Sequence, residues 1–489
     1  MKRLLLVAAA LAIWSGSPET LVRRSLGEGG RPLFTSIFPP EEFAARRIRV
    51  MQEIGDGVAV LQGAAERPGY LKFRQNNQFF YLTGVEVSRA LVIIDGRAKT
   101  TTLFLRSRDE RAERSEGPVL VPGAEAEKLT GIQRVLPREE FGGALAALAQ
   151  EGRVLYLPHR AEALGAATPG NVTAHTEKTL ADPWDGRLSR EAAFIDHVRK
   201  KASRPERAAA IRDLDPILDA MRLVKSPREI AIVREATRIS GLAIMEAIRS
   251  AKPGMYEYEL EAVGDYVFKK HNAQGIAYFG LVAAGKNAAW PHYHGAQSRL
   301  EPGDLVLYDY APDFHYYTSD VTRMFPASGR FTPEQREMYT VYLRLYQALM
   351  TSIRPNVTPA VVLRDALRKM EEVTASFDFR EPKVRSAAER FVESYRKADR
   401  NSLGHWIGME VHDVTAPYDA LKPGMMFTIE PALTIPEERI YVRLEDAILI
   451  TADGYENMSG FVPVEPDAIE RLAAEEGMFE RGDRPKSTP

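Results

Sequence analysis

"GDLVLYDYAPDFHYYTSDVTRMFP", residues 303–326, decides how the second half of this chain folds. Two apolar, strand-forming runs flank a centre rich in turn-forming residues. The first run ends at Asp309 and the second begins around Asp320, eleven positions on. An odd separation lets two residues stand opposite each other across an antiparallel hairpin. The midpoint falls between Phe314 and His315, so the chain is expected to reverse within 312–316. Two carboxylates held face to face repel unless a cation lies between them, and a metal ion is the simplest cation to supply.

The same construction occurs again in "MMFTIEPALTIPEERIYVRLEDAILIT", residues 425–451. Glu430 and Glu445 are fifteen apart, and their midpoint falls within "PEER", a favourable turn. Glu430 closes an apolar run, where an unpaired carboxylate is costly. Between the two hairpins, "NSLGHWIGMEVHDV" (401–414) places His405 and His412 seven apart among apolar residues, in a chain with only nine histidines. Another imidazole, His292, lies upstream in "PHYHG". Singly, each feature is weak: an acidic pair on a hairpin is more often a solvated face, and a histidine beside a tryptophan more often a core residue. In this order they form a ligand set, four carboxylates and one imidazole, suited to two adjacent divalent ions bridged by carboxylates.

The bulk composition narrows the chemistry. At 489 residues, 45% hydrophobic and 27% charged, the chain is globular and long enough for two or three domains. A formal net charge of −2 gives no electrostatic footprint for nucleic acid. The absence of cysteine excludes disulfides, thiolate nucleophiles and thiolate metal sites. Any metal must sit among carboxylates and imidazoles, which favours manganese, zinc or cobalt. The N-terminus, "MKRLLLVAAALAIWSGSPET", has a basic start and an apolar run from Leu4 to Trp14. That run is too short to span a bilayer and has the length of a signal-peptide core, so export to the periplasm or beyond is expected. The alternatives are an uncleaved anchor or a start assigned too early, which would leave the protein cytoplasmic. No other segment is apolar enough for a stable membrane span.

Upstream of the hairpins, short apolar runs at 58–63, 90–96, 101–107 and 153–159 alternate with helical patterns such as "EEFGGALAALAQ", the signature of an α/β domain. A basic, helical stretch follows over 190–222. Then a pattern appears twice. Ser226 caps a helix that opens with Pro227 and carries Glu229 at the capping-box position; Thr332, Pro333 and Gln335 repeat the arrangement. Each first helix runs into a proline and a second helix, and each copy precedes a strand-rich segment. This reads as an internal duplication, which places a site where the halves meet. The expected organisation is a signal peptide and linker over 1–35, an α/β domain over 36–195, a helical linker over 196–222, a duplicated domain over 223–470 and a tail over 471–489.

The series "HY" (292–293), "LYDYAPDFHYYTSDVTRMFP", "GHWIGMEVHDV", "PGMMFTIEP" and "VRLEDAILIT" resembles the pita-bread metallopeptidase family, in the branch containing Xaa-Pro aminopeptidase and prolidase. "LVKSPREI" and "PGMYEYELE" match that family's entry to its catalytic domain, and "FRQNNQFFYLTG" (73–84) resembles the N-terminal signature of aminopeptidase P. The resemblance implies a creatinase-like α/β N-terminal domain followed by an α+β pita-bread domain with pseudo-twofold duplication. It implies a two-metal centre, manganese foremost with zinc or cobalt as alternatives. In it Asp309 would chelate one ion, Asp320 and Glu445 would bridge both, and His405 and Glu430 would complete the second. His292 and His412 would hold the substrate carbonyl, Glu430 would carry protons, and Arg443 would orient carboxylates. The expected substrate is a peptide with proline second, cleaved by a metallo-aminopeptidase. The alternatives are a dipeptidase of the prolidase kind, a relative taking another small amide, and a non-catalytic binding protein. Homodimer or homotetramer is the assembly the family suggests. The chain departs from the pattern at Asn401, where a histidine is usual, and at Tyr310, Ala311, Thr415, Ala432 and Thr434. None is a ligand; they are expected around the substrate pocket, Asn401 and Thr434 in particular.

Overall fold

The computed structural model describes residues 32–67, 69–162, 168–203, 208–397 and 402–482. The segment read as a signal peptide, Asn401 and the last seven residues lie outside the described residues. Two compact units are distinguished: residues 1–156 with 201–210, and residues 157–200 with 211–489.

In the first unit all four expected strands form, as Val58–Gln62, Leu91–Asp95, Thr100–Leu105 and Leu155–Leu157. Val58–Gln62 pairs antiparallel with Leu91–Asp95 on one side and parallel with Leu155–Leu157 on the other. Beyond Leu91–Asp95 come Thr100–Leu105 and then Arg134–Pro137, a four-residue parallel strand too short to announce itself in the sequence. Inside "FRQNNQFFYLTG" lies a helix, Asn77–Thr83. The Asn76 side chain accepts from the Phe79 amide at 3.0 Å to start it, and Gly84 at φ +67° ends it. All seven helical residues are buried.

The stretch read as continuously helical before residue 222 is broken by a short strand, Ile211–Asp213, between helices Arg190–Ala202 and Asp215–Leu223.

In the second unit both capped helices form, Pro227–Ser250 and Pro333–Met350, each with its capping box made. Their partners are Glu257–Lys270 and Pro359–Ser376, with a further helix, Pro382–Lys397. The capped helices bury Ile239, Ile244, Tyr342 and Leu345 in one core with Tyr308, Met324 and Ile429 from the strands and Leu444 between two of them. One three-stranded sheet runs Thr322–Pro326, Leu305–Asp309, Leu281–Ala284; another runs Met426–Ile429, Asp446–Ile450, Tyr455–Asn457. A pair of bridging hydrogen bonds between Thr322 and Glu445 joins the two sheets. No helix among the described residues is long and apolar enough to cross a membrane.

The first hairpin differs in register from the expectation. Asp309 pairs with Thr322, so Asp320 stands two residues short of the opposing position. The turn decides this. Phe314 and Tyr317 close a two-residue reversal in which His315 and Tyr316 both take positive φ, 53° and 71°. Such a turn fixes where the strands meet. The second hairpin keeps the expected register: Ile429 faces Asp446 and Ala432 faces Arg443, which brackets Glu430 opposite Glu445.

Candidate metal centre

Each acidic residue is delivered by the end of a strand. Asp309 closes Leu305–Asp309, Glu430 follows Met426–Ile429, Glu445 precedes Asp446–Ile450, and Asp320 lies two residues before Thr322–Pro326. His405 is hung on the same frame: its carbonyl accepts from the Thr428 amide at 2.9 Å, and Trp406 bridges to Phe427. One side-chain oxygen each from Asp309, Asp320 and Glu445 lies within 4.8 Å of the others, and donor atoms of His405, Glu430 and Glu445 form a second group equally tight. Glu445 belongs to both groups. His405 Nε2 stands 3.4 Å from Asp320 Oδ2, 3.4 Å from Glu430 Oε1 and 3.6 Å from Glu445 Oε1.

The charges do not balance. Among the described residues, one guanidinium stands against the four carboxylates: Arg443, which contacts Asp309, Thr322 Oγ1 at 3.0 Å and Glu430 Oε2 at 3.2 Å. Burial, with Glu445 and Asp309 adding to it, holds the Asp320 carboxyl well above the usual carboxylate range. Burial and then Glu445 push Glu430 up to about 7, against the opposing pull of Arg443. For His405, burial favours the neutral ring, and the surrounding carboxylates outweigh it and raise the imidazole well above its ordinary value.

The donor set fits divalent cations. Glu445 is 1% exposed; its Oε2 accepts from Thr322 Oγ1 at 2.8 Å, whereas its Oε1 has no hydrogen-bond partner among the described residues. A buried, orphaned carboxylate oxygen aimed at an imidazole nitrogen calls for a cation. His405 Nδ1 faces the Trp406 carbonyl at 3.3 Å, so when a cation takes the place of the Nε2 proton the ring would keep its proton on Nδ1 and turn the Nε2 lone pair to the ion.

The two other histidines differ. The His412 ring stacks on His405, centroids 3.7 Å apart and planes 15° apart. Burial and then the His405 charge lower His412 to about 4, so it is neutral near pH 7. His292 is exposed. Its loop is held by Glu257, a fully buried carboxylate accepting from Ala284 N at 2.8 Å, Asn287 Nδ2 at 2.9 Å, Tyr293 Oη at 2.8 Å and Ser298 N at 3.0 Å.

Sequence reasoning missed Tyr278, whose hydroxyl lies 2.5 Å from Asp309 Oδ1 and 2.6 Å from Asp320 Oδ1. It missed Thr322, which stands opposite Asp309 and touches Glu445. It also missed Glu257; the multiple donors around that side chain become visible only once the loop is folded.

The profile of metallopeptidase family M24 matches residues 231–452, and that of the aminopeptidase P N-terminal domain matches residues 43–156. The Xaa-Pro aminopeptidase of Escherichia coli is 31% identical over 88% of this chain and 97% of its own length. The Xaa-Pro aminopeptidase of Haemophilus influenzae is 30% identical over 89% and 97%. This chain belongs to metallopeptidase family M24. Among solved structures, the proline aminopeptidase P II of Yersinia pestis superposes with a TM-score of 0.70 at 31% identity, covering 89% of this chain and all of that one. Zinc-substituted E. coli aminopeptidase P in complex with product gives 0.69 at 29%, covering 89% and 98%. As an M24 chain with this donor set, the protein takes divalent metal as its cofactor.

The Tyr310 hydroxyl donates to Asp265 at 2.6 Å; its ring meets the edge of Tyr278 with centroids 6.5 Å apart and packs so close to Gly264 that a Cβ there would collide. Thr415 accepts from Trp406 Nε1 at 3.1 Å. Thr434 pairs with Tyr441, and its carbonyl accepts from Arg390 at 3.4 Å.

Proposed function

We propose that this chain is a metal-dependent exopeptidase that hydrolyses the N-terminal Xaa-Pro bond of peptides, working with two manganese ions. The observation that carries the reading is Glu445: one buried carboxylate shared by two tight donor groups, with an oxygen that has no hydrogen-bond partner among the described residues. Asp309, Asp320 and Glu445 would hold one ion, and His405, Glu430, Glu445 and Asp320 the other. When bound, the ions supply Lewis acidity toward the scissile carbonyl and bring the pKa of water near neutrality.

The rest falls to the protein. Glu430 would take the proton from the attacking water and pass it to the leaving proline nitrogen. His412, kept neutral, donates a ring N–H to the carbonyl oxygen as negative charge develops there, and His292 does so from the exposed side. Arg443 fixes the carboxylate oxygens of Asp309 and Glu430 in place. The match to the aminopeptidase P N-terminal domain favours peptides of three residues or more over dipeptides.

The test is metal analysis of the purified protein, followed by assays with manganese, cobalt or zinc on Xaa-Pro-Xaa tripeptides, Xaa-Pro dipeptides and Xaa-Ala controls. About two ions per chain and selective tripeptide cleavage are expected. Cleavage of dipeptides alone would establish the prolidase alternative, and bound metal without any cleavage would overturn the catalytic reading.

A further inference from the structure

Next to His412 lies a group of charges that this mechanism leaves unused. Arg222, at the end of helix Asp215–Leu223, and Lys225, in the "LVKSPREI" segment, meet Glu410 and Asp413, the carboxylates on either side of His412 in the chain. The Arg222 guanidinium contacts both carboxylates through one nitrogen, and Lys225 Nζ is 3.1 Å from Asp413 Oδ2. All four side chains are at most 4% exposed. Burying two cations and two anions rarely gains stability over apolar packing, so fold stability alone is a weak account of the quartet.

Its backbone connections suggest what it does. The Asp413 amide donates to the Trp406 carbonyl at 2.7 Å, and that same carbonyl receives His405 Nδ1. Gly408 closes the loop: its carbonyl accepts from the amide of Thr318, two residues before Asp320, at 2.8 Å, and a Cβ at Gly408 would run into the Asp413 carboxylate. The quartet therefore clamps the segment that carries both stacked imidazoles against the loop that carries Asp320.

We infer that Arg222 and Lys225 are positioning residues for catalysis: by clamping Glu410 and Asp413 they hold the His412 ring in register with the His405 ring and so with the substrate carbonyl. This rests on the role given to His412 above. The quartet touches no reacting atom and no proposed metal ligand, so its loss should act on turnover and not on metal content.

The test uses manganese-loaded full-length protein and a Xaa-Pro tripeptide. Lys225→Met should lower kcat by about tenfold or more, the scale of losses for residues that orient functional side chains, with KM within about twofold and metal content unchanged. Lys225→Arg should recover most of the lost rate. In a His412→Ala background, Lys225→Met should cost less than about twofold, because residues acting as one unit are non-additive. In the zinc-loaded protein, which is diamagnetic, the His412 imidazole resonances, assigned by their loss in His412→Ala, should shift in Lys225→Met. An equal loss from Lys225→Met in both backgrounds, or a loss that tracks metal content or folded fraction, would overturn the positioning inference while leaving the role of His412 standing. If His412→Ala keeps the parental kcat, the role of His412 itself fails, and the inference with it.

Discussion

In the metal-free protein, Glu430→Gln should stabilise the fold, and by an amount that grows with pH. Glu430 sits 3.2 Å from Arg443 and opposite Glu445, with its side chain 30% exposed. Burial and Glu445 lift its carboxyl from 4.5 to about 7. A carboxyl raised by folding holds its proton longer in the native than in the unfolded chain. Its contribution is therefore complete below the unfolded value near 4.5 and is lost as pH climbs to about 7. At about 1.4 kcal/mol per decade, and discounting for partial exposure, that loss is about 2–3 kcal/mol. Glutamine cannot ionise, so the variant escapes it. By calorimetry on chelator-treated protein, parent and Glu430→Gln should unfold close together at pH 4.5. The variant should unfold roughly 3–5 °C higher at pH 7.5, the shift that about 2–3 kcal/mol gives in a unit of this size. Comparing the two proteins cancels His412 and His315, whose lowered values give the opposite slope. Manganese should reverse the order, because the variant lacks a ligand. A difference independent of pH, or one that shrinks as pH rises, would refute the view that Glu430 is held protonated by its buried acidic neighbours.

Three further outcomes follow from single contacts. Thr322→Val removes the hydroxyl that donates to Glu445 and accepts from Arg443, and should destabilise the protein by about 1–3 kcal/mol, read from denaturant midpoints, because a buried acceptor loses its partner. Tyr278→Phe removes the hydroxyl between Asp309 and Asp320 and should weaken manganese binding by roughly 10–100-fold in titration calorimetry. Asn401→His should change the ratio of rates on different Xaa-Pro peptides while metal analysis stays constant; altered metal content with unchanged selectivity would count against a place for Asn401 in the substrate pocket.

Much of the site was legible because strands alternate with period two and hairpins have midpoints. The spacing of Glu430 and Glu445 located their turn, and the register holds through both ladders that flank them. The spacing of Asp309 and Asp320 located the turn but not the pairing, since a two-residue reversal at His315 and Tyr316 set the register two positions further on. Nothing in "IAYFG" marks Tyr278, because a tyrosine before a phenylalanine is ordinary core composition. Its role comes from the fold placing that loop against residues more than thirty positions away. Tyr310 follows Asp309 directly, and its hydroxyl goes to Asp265, a partner forty-five positions away that its place in the sequence does not mark.

The duplication explains why the centre is where it is, and why its geometry is coupled to the fold. Each half contributes a hairpin bearing acids, and Thr322 and Glu445 exchange backbone hydrogen bonds where the hairpins meet, at 3.3 and 3.1 Å. Directly beneath lies Arg323, fully buried. It donates to the carbonyls of Thr322 at 3.0 Å and Glu445 at 2.8 Å, and to the Asp446 carboxylate at 2.6 Å. A slip of one residue at this seam would turn Glu445 away from His405 and bring Asp446 in its place. It would also strip Arg323 of its carboxylate partner in a dry core, a loss of several kcal/mol. The register that builds the shared ligand is thus the one that satisfies the buried guanidinium, so the fold cannot settle into a slipped pairing without losing both.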